Sequence, residues 1–223
     1  MSIEKLESFL QTKSLYFCRS DRLGDNHEGS TTKPTINYRK IFYDGATEHY
    51  IKESVPYMQK LWGLCTYINC WHVDNNESNA MWNLYVKDGQ GVAIKSSISN
   101  LKNSILNDKR TFCLGFINYL DFDKDYASEA NAFSPFFIKR DIFKHEQEFR
   151  ILTDEVENIN KIMKKEITPQ DGIFIPIDFQ MVEKMVLSPN ITKTNREKVE
   201  ILMKQSKIPI VPENSAIPRI PEF

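Results

Sequence analysis

The apolar residues of this chain fall into helical and strand-like patterns that predict a mixed fold. Ile3, Leu6, Phe9 and Leu10 recur at three- and four-residue intervals and predict a short first helix. The run Leu15-Tyr16-Phe17-Cys18-Arg19 then predicts a buried strand. Over residues 20–40 the polar and turn-forming side chains Asp21, Gly24, Asp25, Asn26, Gly29, Ser30 and Pro34 predict a long loop without regular structure. A loop of that length in a compact domain is usually either functional or disordered. Ile51, Val55, Met58 and Trp62 share one stripe of a helix over 48–62, with a kink or break at Pro56. Residues 64–71 predict a second strand.

Ser78 caps a helix through Met81, Trp82 and Tyr85 that stops at Asp88-Gly89, and Trp82 and Tyr85 share a face. A strand over 91–95, a helix around Ile98, Leu101 and Ile105, a strand over 112–119 and a helical stretch over 130–143 follow. A strand carries Glu146-Gln147-Glu148-Phe149-Arg150-Ile151-Leu152. Further strands lie near 173–177, 184–187 and 208–211, with a helix over 194–205 between the last two. Pro212, Pro218 and Pro221 predict an extended tail over 212–223. Strands and helices mix without strict alternation, which favours one α+β domain over 1–223, with a mixed or antiparallel sheet flanked by helices.

Composition narrows the class of protein. With 223 residues the chain can bury a large core, and 41% hydrophobic and 26% charged residues are ordinary for a globular chain. Lys+Arg 29 against Asp+Glu 30 gives a formal charge of -1, so nucleic acid or anionic lipid could be held only by a local patch. Met1 leads straight into Ser2-Ile3-Glu4-Lys5, and no run approaches the roughly 18 apolar residues of a membrane span. The expectation is a cytoplasmic protein without a membrane partner. Cys18, Cys65, Cys70 and Cys113 form no C-x-x-C pair and are expected as reduced thiols, not zinc ligands.

Candidate chemistry concentrates in two places. On a strand, Glu146, Glu148 and Arg150 would project together, opposite Phe149 and Ile151. Such a face is either a half-exposed row of paired charges or an active-site carboxylate pair. In the second case one carboxyl is raised by its neighbour, while Arg150 keeps the other ionised. Arg19 ends a strand beside the long loop, where its guanidinium either grips a phosphate or pairs with Asp21 or Asp25. Arg22, Asp25, His27 and Glu28 share that loop, and their spacing does not match a calcium loop. His27, His72 and His145 lack zinc spacing but leave a histidine-dependent ribonuclease open. The phosphate-binding glycine motifs and G-x-S-x-G are absent, which argues against P-loop NTPases, Rossmann dehydrogenases and α/β-hydrolases.

Several segments carry a family resemblance. Tyr16-Phe17-Cys18-Arg19, Gly24-Asp25-Asn26-His27-Glu28-Gly29, Met81-Trp82-Asn83-Leu84-Tyr85, Gly91-Val92-Ala93-Ile94, Lys139 with Glu146-Gln147-Glu148-Phe149-Arg150-Ile151, and Met185-Val186-Leu187-Ser188-Pro189 together resemble the bacterial domain-of-unknown-function family numbered twenty-nine seventy-one. The family's Asn-Asp-Pro-Phe-Glu-like loop has Asn26-His27 in place of Pro-Phe, with Asp25 and Glu28 in register. The order of Arg19, the aromatic helix and Glu146-Gln147-Glu148 also resembles ADP-ribosyltransferases. That likeness implies a split α+β sheet and NAD as substrate. It implies Arg19 and Arg22 at the NAD phosphates, and Tyr85 with Trp82 at the nicotinamide. Glu148 is then the group that stabilises the ribosyl cation, and Glu146 orients or deprotonates the acceptor. It further implies a toxin-like or phage-defence effector with a macromolecular acceptor, RNA or DNA before protein, and an antitoxin or inhibitor protein as partner. A nucleic-acid-binding effector and a non-catalytic interaction module are the alternatives.

Overall fold

Two prolines mark helix starts. In the computed structural model, which describes residues 1–217, Thr32 caps α2 (Lys33–Phe42): its side chain accepts from the Thr35 N–H, and Pro34 lies in the first turn. A proline there forfeits no helical hydrogen bond. The loop predicted over 20–40 therefore ends early, because Pro34 starts a helix where the sequence pattern reads a breaker. Pro56 similarly lies in the first turn of α3 (Val55–Cys65), directly after a π-helical turn, Tyr50–Ser54. The predicted break at Pro56 is this change from π to α geometry.

The chain forms two compact units. One comprises Met1–Tyr16, Asp74–Lys109 and the chain from Phe174 onward. It holds α1 (Ile3–Thr12), α4 (Asn79–Tyr85), α5 (Ile98–Ser104) and α7 (Lys193–Ser206). It also holds a three-stranded sheet in which β9 (Lys184–Leu187) pairs antiparallel with β3 (Val92–Lys95) and parallel with β10 (Glu213–Asn214). Ser2 caps α1 and Ser78 caps α4, each accepting from the N–H three residues on. Ile3, Leu6, Phe9 and Leu10 are all buried, as their spacing predicts.

The second unit, Phe17–Val73 with Arg110–Ile173, holds α2, α3 and α6 (Ile159–Met163). A five-stranded sheet has the order β4 (Cys113–Phe116), β7 (Glu148–Asp154), β2 (Thr66–His72), β1 (Ser14–Arg19), β8 (Gly172–Pro176). The β4–β7, β7–β2 and β2–β1 pairings are antiparallel. Two of the four unit boundaries along the chain, at 16/17 and 173/174, fall within β1 and β8. Ile68, Phe136 and Leu152 form a buried centre in this second unit, with Trp62, Cys70 and Phe133 packed around it. Every residue of β7 from Glu148 to Thr153 is buried. The α+β class is thus as expected, with mixed sheets and flanking helices. Among the described residues no helix is long and apolar enough to cross a membrane.

Four expectations change. The predicted helix over 130–143 is instead a 3-10 turn (Ser134–Phe137), the strand β6 (Ile138–Arg140) and the start of a second 3-10 segment (Asp141–Glu146). Its apolar spacing arises because Phe136 fills the core, while the Asn131 side chain accepts from the N–H groups of Phe133 and Ser134 and fixes a turn. The strand over 112–119 is two strands, β4 and β5 (Asn118–Leu120); β5 pairs parallel with β6, with Tyr119 opposite Lys139. The last strand is β10 and not 208–211, and residues 218–223 of the predicted tail lie outside the described residues. Finally, Glu146 is not on the strand: it closes the Asp141–Glu146 segment, and Gln147, left-handed at φ 43°, separates it from β7.

Candidate active site

The strand β7 presents Glu148 and Arg150 on one face, as period-two alternation requires. Around them the second unit gathers five charged side chains, nearly closed to solvent. Arg150 is 1% exposed and reaches in three directions. Its Nε donates to Glu148 Oε2 at 2.8 Å. Its two terminal nitrogens donate to Glu28 at 2.5 and 2.9 Å, and one of them also donates to the Phe136 carbonyl at 2.8 Å. This bidentate fork is the geometry guanidinium favours over ammonium. Lys139 Nζ bridges the two glutamates of the E-x-E motif, donating to Glu148 Oε1 at 2.5 Å and to Glu146 Oε2 at 2.6 Å. The Lys139 ammonium also lies 4.7 Å from the centre of the Phe143 ring.

Backbone contacts lock this cluster. The Glu148 N–H donates to the Tyr119 hydroxyl at 2.8 Å. His72, paired with Glu148 in the β2–β7 register, sets its Nδ1 2.7 Å from the Glu146 carbonyl oxygen. Next to the cluster, Asp25 accepts from Arg140 at 2.8 Å and from the His27 N–H at 3.0 Å. Asp25 and Glu28 of the long loop are therefore carboxylate partners for arginines on β6 and β7.

The charge count limits the proton states. Three carboxyls, Glu28, Glu146 and Glu148, face two cations, Lys139 and Arg150; one bound proton makes this buried set neutral. Burial pushes Glu146 up, reinforced by its hydrogen bond to Glu148 and opposed by Lys139. Burial also works against the ionised form of Glu148, but the charge of Arg150, the hydrogen bond from Glu146 and those from Arg150 and Lys139 outweigh it and hold Glu148 well below the usual carboxylate range. Burial raises Glu28 too, against the pull of Arg150. Because Glu28 is gripped by both arms of Arg150 whereas Glu146 meets only Lys139, Glu146 is better placed than Glu28 to take up a proton. Within the pair, proton affinity is raised at Glu146 and lowered at Glu148.

The other sequence candidates lie elsewhere. Arg19 is 5% exposed, and its guanidinium donates to both Asp21 carboxylate oxygens and to the Pro169 and Gln170 carbonyls. Arg22 pairs with Asp171. In the register, Arg19 stands opposite Tyr67 and Tyr67 opposite Thr153, five positions along β7 from Glu148. Two strand spacings and five residues put the Arg19 and Glu148 Cα atoms roughly 20 Å apart. Arg19 thus anchors the opposite end of the sheet. Trp82 and Tyr85 belong to α4 in the other unit; Trp82 is buried and its indole N–H donates to Glu77 at 3.0 Å, whereas Tyr85 is exposed. Of the histidines, His72 alone borders the cluster; His145 is exposed, and His27 packs edge-on against Phe122. None of the four cysteines is in a disulfide among the described residues, and burial pushes Cys65 up to about 11.

Sequence reasoning missed Lys139 as the bridge and Glu28 as the fork partner of Arg150. Alternation along β7 marks Arg150, but no local pattern marks a lysine on a three-residue strand. Compared with known proteins, the chain matches no family model, no curated protein and no solved structure.

Proposed function

We propose that this chain is an acid–base enzyme of the ADP-ribosyl-transfer class, taking NAD and passing its ADP-ribosyl group to a macromolecular acceptor, nucleic acid before protein. One observation carries the reading: the two glutamates of the E-x-E motif share one buried ammonium, in surroundings that push their proton affinities apart, Glu146 up and Glu148 down. Cleavage of a nicotinamide–ribose bond develops positive charge on the sugar, and a fixed anion in a dry site favours that charge. Both Glu148 oxygens already meet cations, so Glu148 acts through its field. Glu146 is the group that exchanges a proton with the acceptor. Its position after a 3-10 segment, beside the left-handed Gln147, gives its carboxyl a mount separate from β7. The NAD phosphates then need a cation other than Arg19, whose donors are spent on Asp21 and two carbonyls.

The test is release of free nicotinamide from NAD by the purified chain. Wild-type protein should release it, and Glu146→Gln should keep its fold while losing transfer by about 100- to 1,000-fold. Absence of release by folded wild-type protein overturns the assignment. Cleavage of RNA in its place, lost in His72→Ala, would move the reading to the ribonuclease.

A further inference from the structure

We propose that a second feature of the same unit, a cavity of about 290 Å³, binds the planar heteroaromatic base of a nucleotide. This names a substrate class for the site described above and rests on that reading for its link to catalysis, though not for its binding chemistry. Tyr43, Tyr50, Met58, Trp62, Phe136 and Gly29 line the cavity. Its volume suits one base with part of its sugar, and aromatic walls around a flat ring are the usual means of holding any base regardless of sequence.

Three independent observations mark the cavity as built for a ligand. First, the segment leading to it is a π-helical turn, Tyr50–Ser54, closed by the Val55 N–H donating to the Tyr50 carbonyl. Such turns are rare and concentrate at functional sites; this one supplies Tyr50 and Ser54 to the wall, and the Tyr50 ring meets Tyr43 edge to face at 5.8 Å. Second, the indole N–H of Trp62 is buried and has no hydrogen-bond partner among the described residues. An orphaned donor of this kind is costly, and it sits on a residue of the cavity wall. Third, one side is polar and already ordered: buried Arg39 grips Glu129 through two nitrogens at 2.6 and 3.1 Å, and Gln59 joins both. An amide and a carboxylate held in place can read the donor edge of a base, which a purely apolar slot cannot.

The cavity also shares its wall with the charged cluster. Gly29 follows Glu28, the fork partner of Arg150, and Phe136 supplies the carbonyl that Arg150 binds. Gly29 has φ +70°, and a Cβ there would come 2.6 Å from the Phe136 ring. Close approach of this loop to Phe136 therefore requires glycine.

The experiment is equilibrium titration of the full chain with adenosine, uridine and nicotinamide as separate probes, read by intrinsic tryptophan fluorescence and calorimetry. At least one probe should bind saturably. Tyr50→Ala, a change at a half-exposed side chain, should weaken that binding about tenfold or more through lost stacking. Trp62→Phe keeps an aromatic ring at the wall, removes the donor and should weaken it by roughly two- to tenfold. No saturable binding by any probe at millimolar concentration, or unchanged affinity in Tyr50→Ala, overturns the proposal. Binding is read without turnover, so the two readings fail separately: a base bound by protein that releases no nicotinamide removes the transferase and leaves the cavity. Turnover of NAD with a Tyr50→Ala protein of wild-type affinity removes the cavity and leaves the transferase.

Discussion

Replacing each glutamate of the E-x-E motif by glutamine should give unequal losses of stability. Glu148→Gln removes the one carboxylate that touches both Lys139 and Arg150, and leaves these two buried cations facing Glu28 and Glu146. Ionisation of Glu146 keeps that set neutral, but Arg150 and Lys139 each lose a charged acceptor among side chains that are 1–9% exposed, which costs about 1.5–3 kcal/mol. In a chain of this length that corresponds to a fall in Tm of roughly 3–12 °C. Glu146→Gln substitutes an amide for a carboxylic acid: the amide N–H still donates to Glu148 and its carbonyl still accepts from Lys139, so the cost is about 0–1 kcal/mol. The assay is thermal and urea unfolding of both variants at about pH 5, close to the ordinary carboxylate range. Equal losses in the two variants would refute the proton assignment, because they would mean that Glu146 is ionised. A Glu148→Gln loss under 1 kcal/mol would show that the cluster is hydrated and open.

Three further outcomes follow from the same contacts. Glu146 has its proton affinity raised on folding, so its contribution is complete below the unfolded carboxyl value and fades as pH rises through the folded one; Glu148 is depressed, so its contribution fades as pH falls below the ordinary range. The wild-type Tm should therefore decline on both sides, and Glu146→Gln should flatten the alkaline limb in part, since Glu28 shares it; an unchanged slope above pH 5 would sink the linkage. Gly29→Ala should cost about 1–3 kcal/mol, because the added Cβ meets Phe136 and the backbone is left-handed; a loss under half of that in urea unfolding would show that the loop shifts freely. Arg19→Ala should cost about 2–3 kcal/mol by releasing Asp21 and two carbonyls, and should leave nicotinamide release by the folded protein unchanged; a selective loss of release at full stability would return Arg19 to the site.

Local chemistry made much of the fold legible. The spacing of Ile3, Leu6, Phe9 and Leu10, the Ser78 cap and the strand at Lys184–Leu187 all rest on neighbours within one turn or one strand, so the sequence alone places them. The E-x-E motif was legible for a related reason: alternation puts Glu148 and Arg150 on one face, and two nearby carboxyls beside an arginine must separate in proton affinity. What failed were the apolar run over 130–143 and the proline at 34. In both, a residue's meaning depends on a distant partner: Phe136 turns inward to Ile68 and Leu152, and Pro34 sits behind the Thr32 cap, whose neighbour Thr35 is bonded to Ala127.

Tertiary structure alone decided the site's composition. Arg19 and Glu148 stand in the order an NAD-using enzyme would have, yet strand register sets them at opposite ends of the sheet. Lys139, 9 residues before Glu148, reaches both glutamates because β6 pairs with β5, whose Tyr119 takes the Glu148 N–H. Glu28 comes to Arg150 across 122 residues of chain. Such long-range ion pairs leave no periodic trace, because the energy that fixes them comes from burial, and burial is a property of the assembled core.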